Sequence, residues 1–473
     1  MPRITVVPMS NPESNAPNPC ILQLPYEIKR QIFADLVDKT GSSASLLAPA
    51  ASCRVFYDLL LQECSLWTKV MVDPTSLNSN SYPTTIIDTS PDFSASRNVW
   101  PGLHTILTRS GDRPVSLGIT LAHGVHISPT HISVLMHLLR GSIDRLRDLD
   151  VRCAAWEHIS VILEYLSKRE MPLLEQFRVQ YAPGSEQRDN PLVHTLVENS
   201  APSPLVFARD QIGDIEVNCT PVLPSLTNLH LDGIPQRWTA FFPGSLSFLC
   251  LRNCPIGHRI SCRDLSQILF ANRNTLRVLQ LGIGALPHET GEPITLPLLT
   301  GLWIDFFHPA EIHNLVEMLE LPKLQTLAIR DGWNRTKGAL FMLETGLITE
   351  DEVVVIHEQI VWAYSRMSQR WPLDRVVHLM LADVVFYETV DNPVSSLESS
   401  YHEKITWKKR GIPLASRFFY RLSSLRRLYL VSPDETTLQA IQSPPLRYDE
   451  ESDAFESLHP WLPSLQSCRI GSS

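Results

Sequence analysis

The stretch LPSLTNLHL, residues 223–231, sets Leu226, Leu229 and Leu231 in the spacing L-x-x-L-x-L. Successive side chains of a strand point to opposite faces, so Leu229 and Leu231 share one face and His230 takes the other. The same spacing returns at Leu146-Leu149-Val151, Leu174-Phe177-Val179, Leu246-Leu249-Leu251, Leu276-Leu279-Leu281 and Leu299-Leu302-Ile304. It continues at Leu324-Leu327-Ile329, Val376-Leu379-Leu381, Leu425-Leu428-Leu430 and Leu465-Cys468-Ile470, ten copies in all. Their first residues are separated by 28, 52, 20, 30, 23, 25, 52, 49 and 40 positions, which suits a repeat array with some enlarged units. A single unit of this size cannot bury its apolar side alone, so stacked copies must build one continuous core. Five copies carry Pro two residues ahead (Pro172, Pro224, Pro297, Pro322, Pro463), as fits the start of a strand, where a missing N–H breaks no ladder bond.

These phrases resemble irregular leucine-rich repeats; LCLRNC, residues 249–254, comes nearest the full pattern because Asn253 and Cys254 stand at its turn position. The resemblance implies an α/β fold, a curved solenoid with a parallel sheet of about ten strands over residues 101–473 and helices or loops outside. The clearest helix is predicted over residues 349–371, with Thr349 and Glu352 as a capping pair, Val353, Ile356, Ile360, Tyr364 and Met367 on one face, and Pro372 as its stop. Alternation sends Asp150, Arg178, His230, Cys250, Gln280, Trp303, Ala328, Met380, Tyr429 and Arg469 to the concave face. His230, Gln280, Trp303, Met380 and Tyr429 are the candidate target-binding residues, with Trp303, Met380 and Tyr429 as anchors because aromatics and Met serve binding hot spots.

Ahead of the repeats, LPYEIKRQIFADLV (Leu24–Val37) predicts a helix with Pro25 in its first turn, Glu27 at the positive helix end, and a stripe of Ile28, Ile32 and Leu36 flanked by Phe33. A second apolar segment, LLAPAASCRVFYDLLLQECSLW, follows over residues 46–67, with Pro49 expected to kink or delay its helix. Together they form a unit of about 50 residues, marginal as an independent core. The order Leu24-Pro25, Glu27-Ile28, Ile32-Phe33, Leu36, Ala51-Ser52-Cys53-Arg54, Phe56 and Leu66-Trp67 resembles an F-box, the adaptor-binding module of cullin-RING ubiquitin ligases. That resemblance covers residues 20–72 as an F-box-like domain, while composition reads residues 1–19 as a disordered polar tail and the Ser-, Thr-, Asn- and Pro-rich residues 73–100 as a linker. The resemblance also implies docking on a Skp1-like adaptor and cullin scaffold through Leu24, Pro25, Glu27, Ile28, Ile32, Phe33, Leu36, Cys53, Phe56 and Trp67.

Composition narrows the remaining classes. A net charge of −9 over 473 residues argues against broad basic surfaces for nucleic acid or anionic lipid. No apolar run approaches the roughly 20 residues of a membrane helix, the N-terminus has no secretory apolar segment, and the cysteines number nine, so a cytoplasmic or nuclear location is expected. Cys250, Cys254, His258 and Cys262 are spaced by four, but Pro255 and Gly257 break any shared helical face, and no metal or cofactor is expected. Nucleophile elbows, phosphate-cradling loops and metalloprotease helices are missing, His357-Glu358 falls on a predicted helix, and RYDEESD (447–453) reads as an exposed loop. The expected function is therefore non-catalytic substrate recognition within a Skp1-cullin-F-box ligase. The alternative is a repeat-protein scaffold in which the N-terminal hairpin serves as a cap.

Overall fold

A computed structural model describes residues 21–72, 103–121, 127–167, 169–181, 223–234, 244–254, 259–332, 350–386, 418–442, 446–449, 454–457 and 462–471. The expected tail over 1–19 and linker over 73–100 lie outside these residues. Two compact units are present, residues 1–71 with 92–115, and residues 72–91 with 116–473. The first thus takes in a helix, Leu103–Arg109, that the sequence pattern had grouped with the repeats.

In the first unit, helix α1 (Tyr26–Thr40) ends at Gly41, whose φ of +69° only glycine adopts freely. Pro25 stands just before the first turn, and its carbonyl accepts from the Lys29 N–H at 3.1 Å. Helices α2 (Leu47–Ser52) and α3 (Arg54–Gln62) divide the second apolar segment. Pro49 does not cause the division. It falls in the first turn of α2, where its missing N–H has no intrahelical partner anyway, and the break comes at Cys53, which is extended at φ −157°, ψ 155°. Phe33, Val37, Leu46, Leu59, Leu60, Leu66 and Trp67 make the small core. Phe33 meets Phe56 edge to face at 5.2 Å, and the Trp67 indole donates to the Leu60 carbonyl at 2.7 Å beneath the Arg109 guanidinium.

The strands are β1 (Lys69–Val72), β2 (Val115–Leu121), β3 (Leu146–Cys153), β4 (Gln176–Tyr181), β5 (Asn228–Asp232), β6 (Phe248–Arg252), β7 (Val278–Leu281) and β8 (Ile294–Thr295). They continue with β9 (Gly301–Phe306), β10 (Leu319–Glu320), β11 (Thr326–Asp331), β12 (His378–Ala382), β13 (Arg427–Val431), β14 (Leu446–Asp449), β15 (Ala454–Ser457) and β16 (Ser467–Gly471). Twelve strands make one sheet; β1 straddles the unit boundary, and beyond it the order is β2-β3-β4-β5-β6-β7-β9-β11-β12-β13-β16. Two short ribbons, β8 with β10 and β14 with β15, stand apart from it. The antiparallel β14–β15 pair corrects the reading of RYDEESD, whose first three residues are strand rather than loop.

All ten repeated phrases fall on adjacent parallel strands of this sheet, β3 to β16. Register pairs Leu149 with Phe177, Leu229, Leu249, Leu279, Leu302, Leu327, Leu379, Leu428 and Cys468 in turn, so one row of side chains crosses ten strands. Through β13 both apolar rows are no more than 2% exposed. The tenth phrase departs from the expectation: β16 is an edge, Cys468 is exposed and Ile470 is 63% exposed.

Local turns explain the phrase. The prolines do not begin strands. Pro172, Pro224, Pro297, Pro322 and Pro463 each occupy the second position of a tight turn, closed by N–H donation from Leu174 to Met171, Leu226 to Leu223, Leu299 to Leu296, Leu324 to Leu321 and Leu465 to Leu462 at 3.0–3.3 Å. A fixed φ near −65° suits that position. At the other end, Gly233, Asn253, Asp383 and Ser432 all have positive φ one residue past β5, β6, β12 and β13. Gly, and after it Asn and Asp, accept that conformation at least cost, while Ser432 adopts it without that preference.

Among the described residues, the helices that connect these parallel strands pack on the leucine face of the sheet. Helices bury their apolar stripes there: Ile132, Leu135 and Met136 of Pro129–Leu138, Leu265, Ile268 and Leu269 of Cys262–Ala271, and Ile312, Leu315 and Val316 of Pro309–Met318. The predicted long helix is present as Glu350–Arg370, with Ile360, Tyr364 and Met367 fully buried; its capping residue Thr349 lies outside the described residues. If the leucine face is the core, Leu279→Ala should destabilise the chain by about 2–5 kcal/mol, whereas Gln280→Ala, one residue away, should change stability by less than about 0.5 kcal/mol. Denaturant midpoints of the two variants measure the difference, and similar losses for both would show that the faces are misassigned.

Candidate functional site

Two surfaces present side chains that their own unit does not cover. On the first unit, α1 splits the stripe expected from its sequence. Phe33 and Val37 point inward, Leu24 and Leu36 are half-buried, and Pro25, Glu27, Ile28 and Ile32 are exposed. Cys53 and Phe56 are half-buried, while Phe33 and Trp67 belong to the interior and offer nothing to a partner directly. Among the described residues, 14 large apolar side chains are exposed, and nine of them (Ile21, Leu22, Tyr26, Ile28, Ile32, Val55, Tyr57, Leu61 and Met71) lie on this small unit. Scattered exposed apolar residues are ordinary, but this concentration is the pattern of a surface made to be covered.

A polar clasp holds that surface in shape. Glu63, at the end of α3, accepts from the Tyr26 hydroxyl at 2.5 Å and from Arg30 Nε at 3.1 Å, tying the start of α1 to the end of α3. The Tyr26 hydrogen bond, helped by Arg30 and opposed by partial burial, holds the Glu63 carboxyl below its usual range and raises the Tyr26 phenol above its own. No sequence motif announced this clasp, because its members are 37 residues apart.

The second surface is the sheet face opposite the leucines. Register runs Asp150, Arg178, His230, Cys250, Gln280, Trp303, Ala328, Met380, Tyr429 and Arg469 strand to strand, the row expected from alternation. The row has two characters. Over β3 to β6 it is polar: Arg152 holds both oxygens of Asp150 at 3.1 and 2.7 Å, and Asn253 donates to Asp232 at 2.6 Å. Burial, reinforced by Arg178 and Arg252, pushes His230 down to about 4, and burial raises the neighbouring Cys250 thiol to about 12. Over β9 to β13 it is apolar. Trp303 lies against Gly301, where a Cβ would come within 2.6 Å of the indole, so the ring holds this position only because that residue has no side chain. Ala328 is buried, Gln280, Trp303 and Met380 are half-buried, and Tyr429 is 41% exposed, its hydroxyl leaning over Gly471.

Among the described residues, no group of three or more His, Cys, Asp or Glu is placed to hold a metal ion. Cys250 is buried on the outer face beside His230, Cys254 is buried two residues past β6, and His258 lies outside the described residues. No described helix is long and apolar enough to cross a membrane. No family model matches the chain, and none of the curated proteins matches it.

The Glu63 clasp predicts a pH dependence of known sign. A carboxyl depressed in the folded state contributes stability above its unfolded value, about 4.3, and loses it as pH falls through the folded value. Hydrogen exchange of α1 amides in the full chain, corrected for intrinsic rates, should therefore show protection falling between about pH 5 and pH 3 in wild type. Glu63→Gln should be less protected at pH 6 and should lack that acid transition. An identical acid transition in the variant would assign it to another carboxyl.

Proposed function

We propose that this chain is the substrate-recognition subunit of a Skp1-cullin-F-box type ubiquitin ligase, with its first unit docking on a Skp1-like adaptor and the outer sheet face holding a target protein. The observation that carries this reading is the concentration of exposed apolar side chains on the first unit, around the Leu24-Pro25 segment whose sequence resembles an F-box. Exposed Ile28 and Ile32 on α1, with Val55 and Leu61 on α3, supply the anchors, and buried Phe33 and Trp67 fix the shape that presents them. The chain performs no bond chemistry in this role. It raises the effective concentration of target lysines beside a ubiquitin-charged enzyme supplied by the complex.

Truncating apolar anchors at an interface centre costs about 1–2 kcal/mol or more each, and every 1.4 kcal/mol is about tenfold in affinity. Leu24→Ala/Pro25→Ala and Ile28→Ala/Ile32→Ala should each weaken binding to a purified Skp1-like adaptor by about tenfold or more, with the melting temperature of the full chain nearly unchanged. Trp303→Ala/Tyr429→Ala should keep adaptor binding and lose co-purifying target. Wild-type protein that never binds adaptor would leave the scaffold reading in place of the ligase.

A further inference from the structure

Between β7 and β8 the chain forms a strap, residues 282–291, that packs against helices Cys262–Ala271 and Pro309–Met318. Ala285 and Leu286 of the strap are fully buried. The Asn314 side chain donates to the Pro287 carbonyl at 3.3 Å and accepts from the Thr290 hydroxyl at 3.1 Å, and a Cβ on Gly291 would come within 2.6 Å of the Cys262 sulfur. At His288 the strap meets a polar cluster whose pairing is incomplete. Glu311, with its side chain 1% exposed, accepts through Oε2 from the backbone N–H groups of Phe307 and His308 at 2.9 and 3.0 Å. Its Oε1 is closed to solvent with no hydrogen-bond partner among the described residues, 3.6 Å from Arg259 Nη1 and 3.8 Å from His288 Nε2. Arg259 instead donates from Nη1 to His288 Nε2, and its own Nε is closed to solvent without a partner. A buried carboxylate oxygen left open is costly, so the cluster is poised to change partners.

We infer that Arg259, His288 and Glu311 form a proton-operated latch on this strap: a neutral His288 closes it by accepting from Arg259, and a proton taken up from solvent at Nε2 opens it. The closed contact needs the Nε2 lone pair, so the ring carries its one proton on Nδ1. A second proton removes that acceptor and leaves two cations competing for the single open oxygen of Glu311. His308 cannot relieve them, because its Nδ1 accepts from the Ala310 N–H at 3.2 Å and caps the helix. Arg259 then loses its hold on the strap, which parts from the segment leading into helix Cys262–Ala271. The charged groups facing His288 are Arg259, Glu311 and Glu289, with His308 beyond them. Burial and Arg259 hold His288 below the ordinary histidine value against the pull of Glu311 and Glu289, and burial lowers His308 as well. A histidine depressed in the folded state contributes stability above its unfolded value, about 6.5, and loses it as pH falls toward the folded value. Acid therefore opens the latch.

Hydrogen exchange of the full chain, corrected for intrinsic rates, tests the latch between about pH 7.5 and pH 5. Peptides covering residues 283–291 should lose protection across that range in wild type, while peptides covering β3 and β12 keep theirs. His288→Gln, whose amide oxygen can accept from Arg259 at every pH, should stay protected throughout. His288→Lys, charged over the whole range, should already be open at about pH 7.5. His308→Gln should keep the wild-type transition. An acid transition that persists in His288→Gln or vanishes in His308→Gln, a strap as protected in His288→Lys as in wild type, or a loss spread evenly over the sheet would overturn the latch.

Discussion

The constraint on which this structure depends is the side-chain register of its parallel strands. Leu149 and its nine register partners occupy one row, so a slip of one residue in any strand would send leucines to solvent and charges into the core. That register is set at both ends of the repeat. A proline-containing turn delivers the chain to the strand, and a left-handed residue such as Gly233 or Asn253 ends it. Among the described residues, the helices between successive strands cover the leucine face. The opposite face is left to side chains that the fold does not need.

The two surfaces differ in kind for that reason. The outer sheet face is a by-product of the repeat, and its residues are free to vary in chemistry along the row, polar around His230 and apolar around Trp303. The first unit has the opposite problem. A cluster built on Phe33, Val37, Leu59, Leu60 and Trp67 is small, and it leaves Ile28, Ile32, Val55 and Leu61 outside. Glu63 then has a role out of proportion to its exposure, because it clips together the two helices that carry those residues.

Much of the sheet was legible in the sequence because its signal is redundant. Alternation assigned every member of the outer row, and the helix Glu350–Arg370 fell within one residue of its expected ends, stopped by Pro372. What escaped had physical reasons. Strand β2, VSLGITL, alternates but lacks the leading leucine of the phrase, and β14 is masked by its charges. On α1, residues advance about 100° each, so Ile28-Ile32 and Phe33-Val37 define two apolar faces, and local sequence cannot say which meets the core. Phe56 on α3 decides it by packing against Phe33. The Glu63 clasp joins residues 37 positions apart that only the fold brings together.

The proposal that one surface meets an adaptor and the other a target is tested most directly by hydrogen exchange of the full chain with and without a Skp1-like adaptor. Adaptor should slow exchange in peptides covering residues 21–61 and leave those covering strands β3 to β16 unchanged. Protection centred on the sheet, or the absence of any complex at micromolar concentrations, would contradict it.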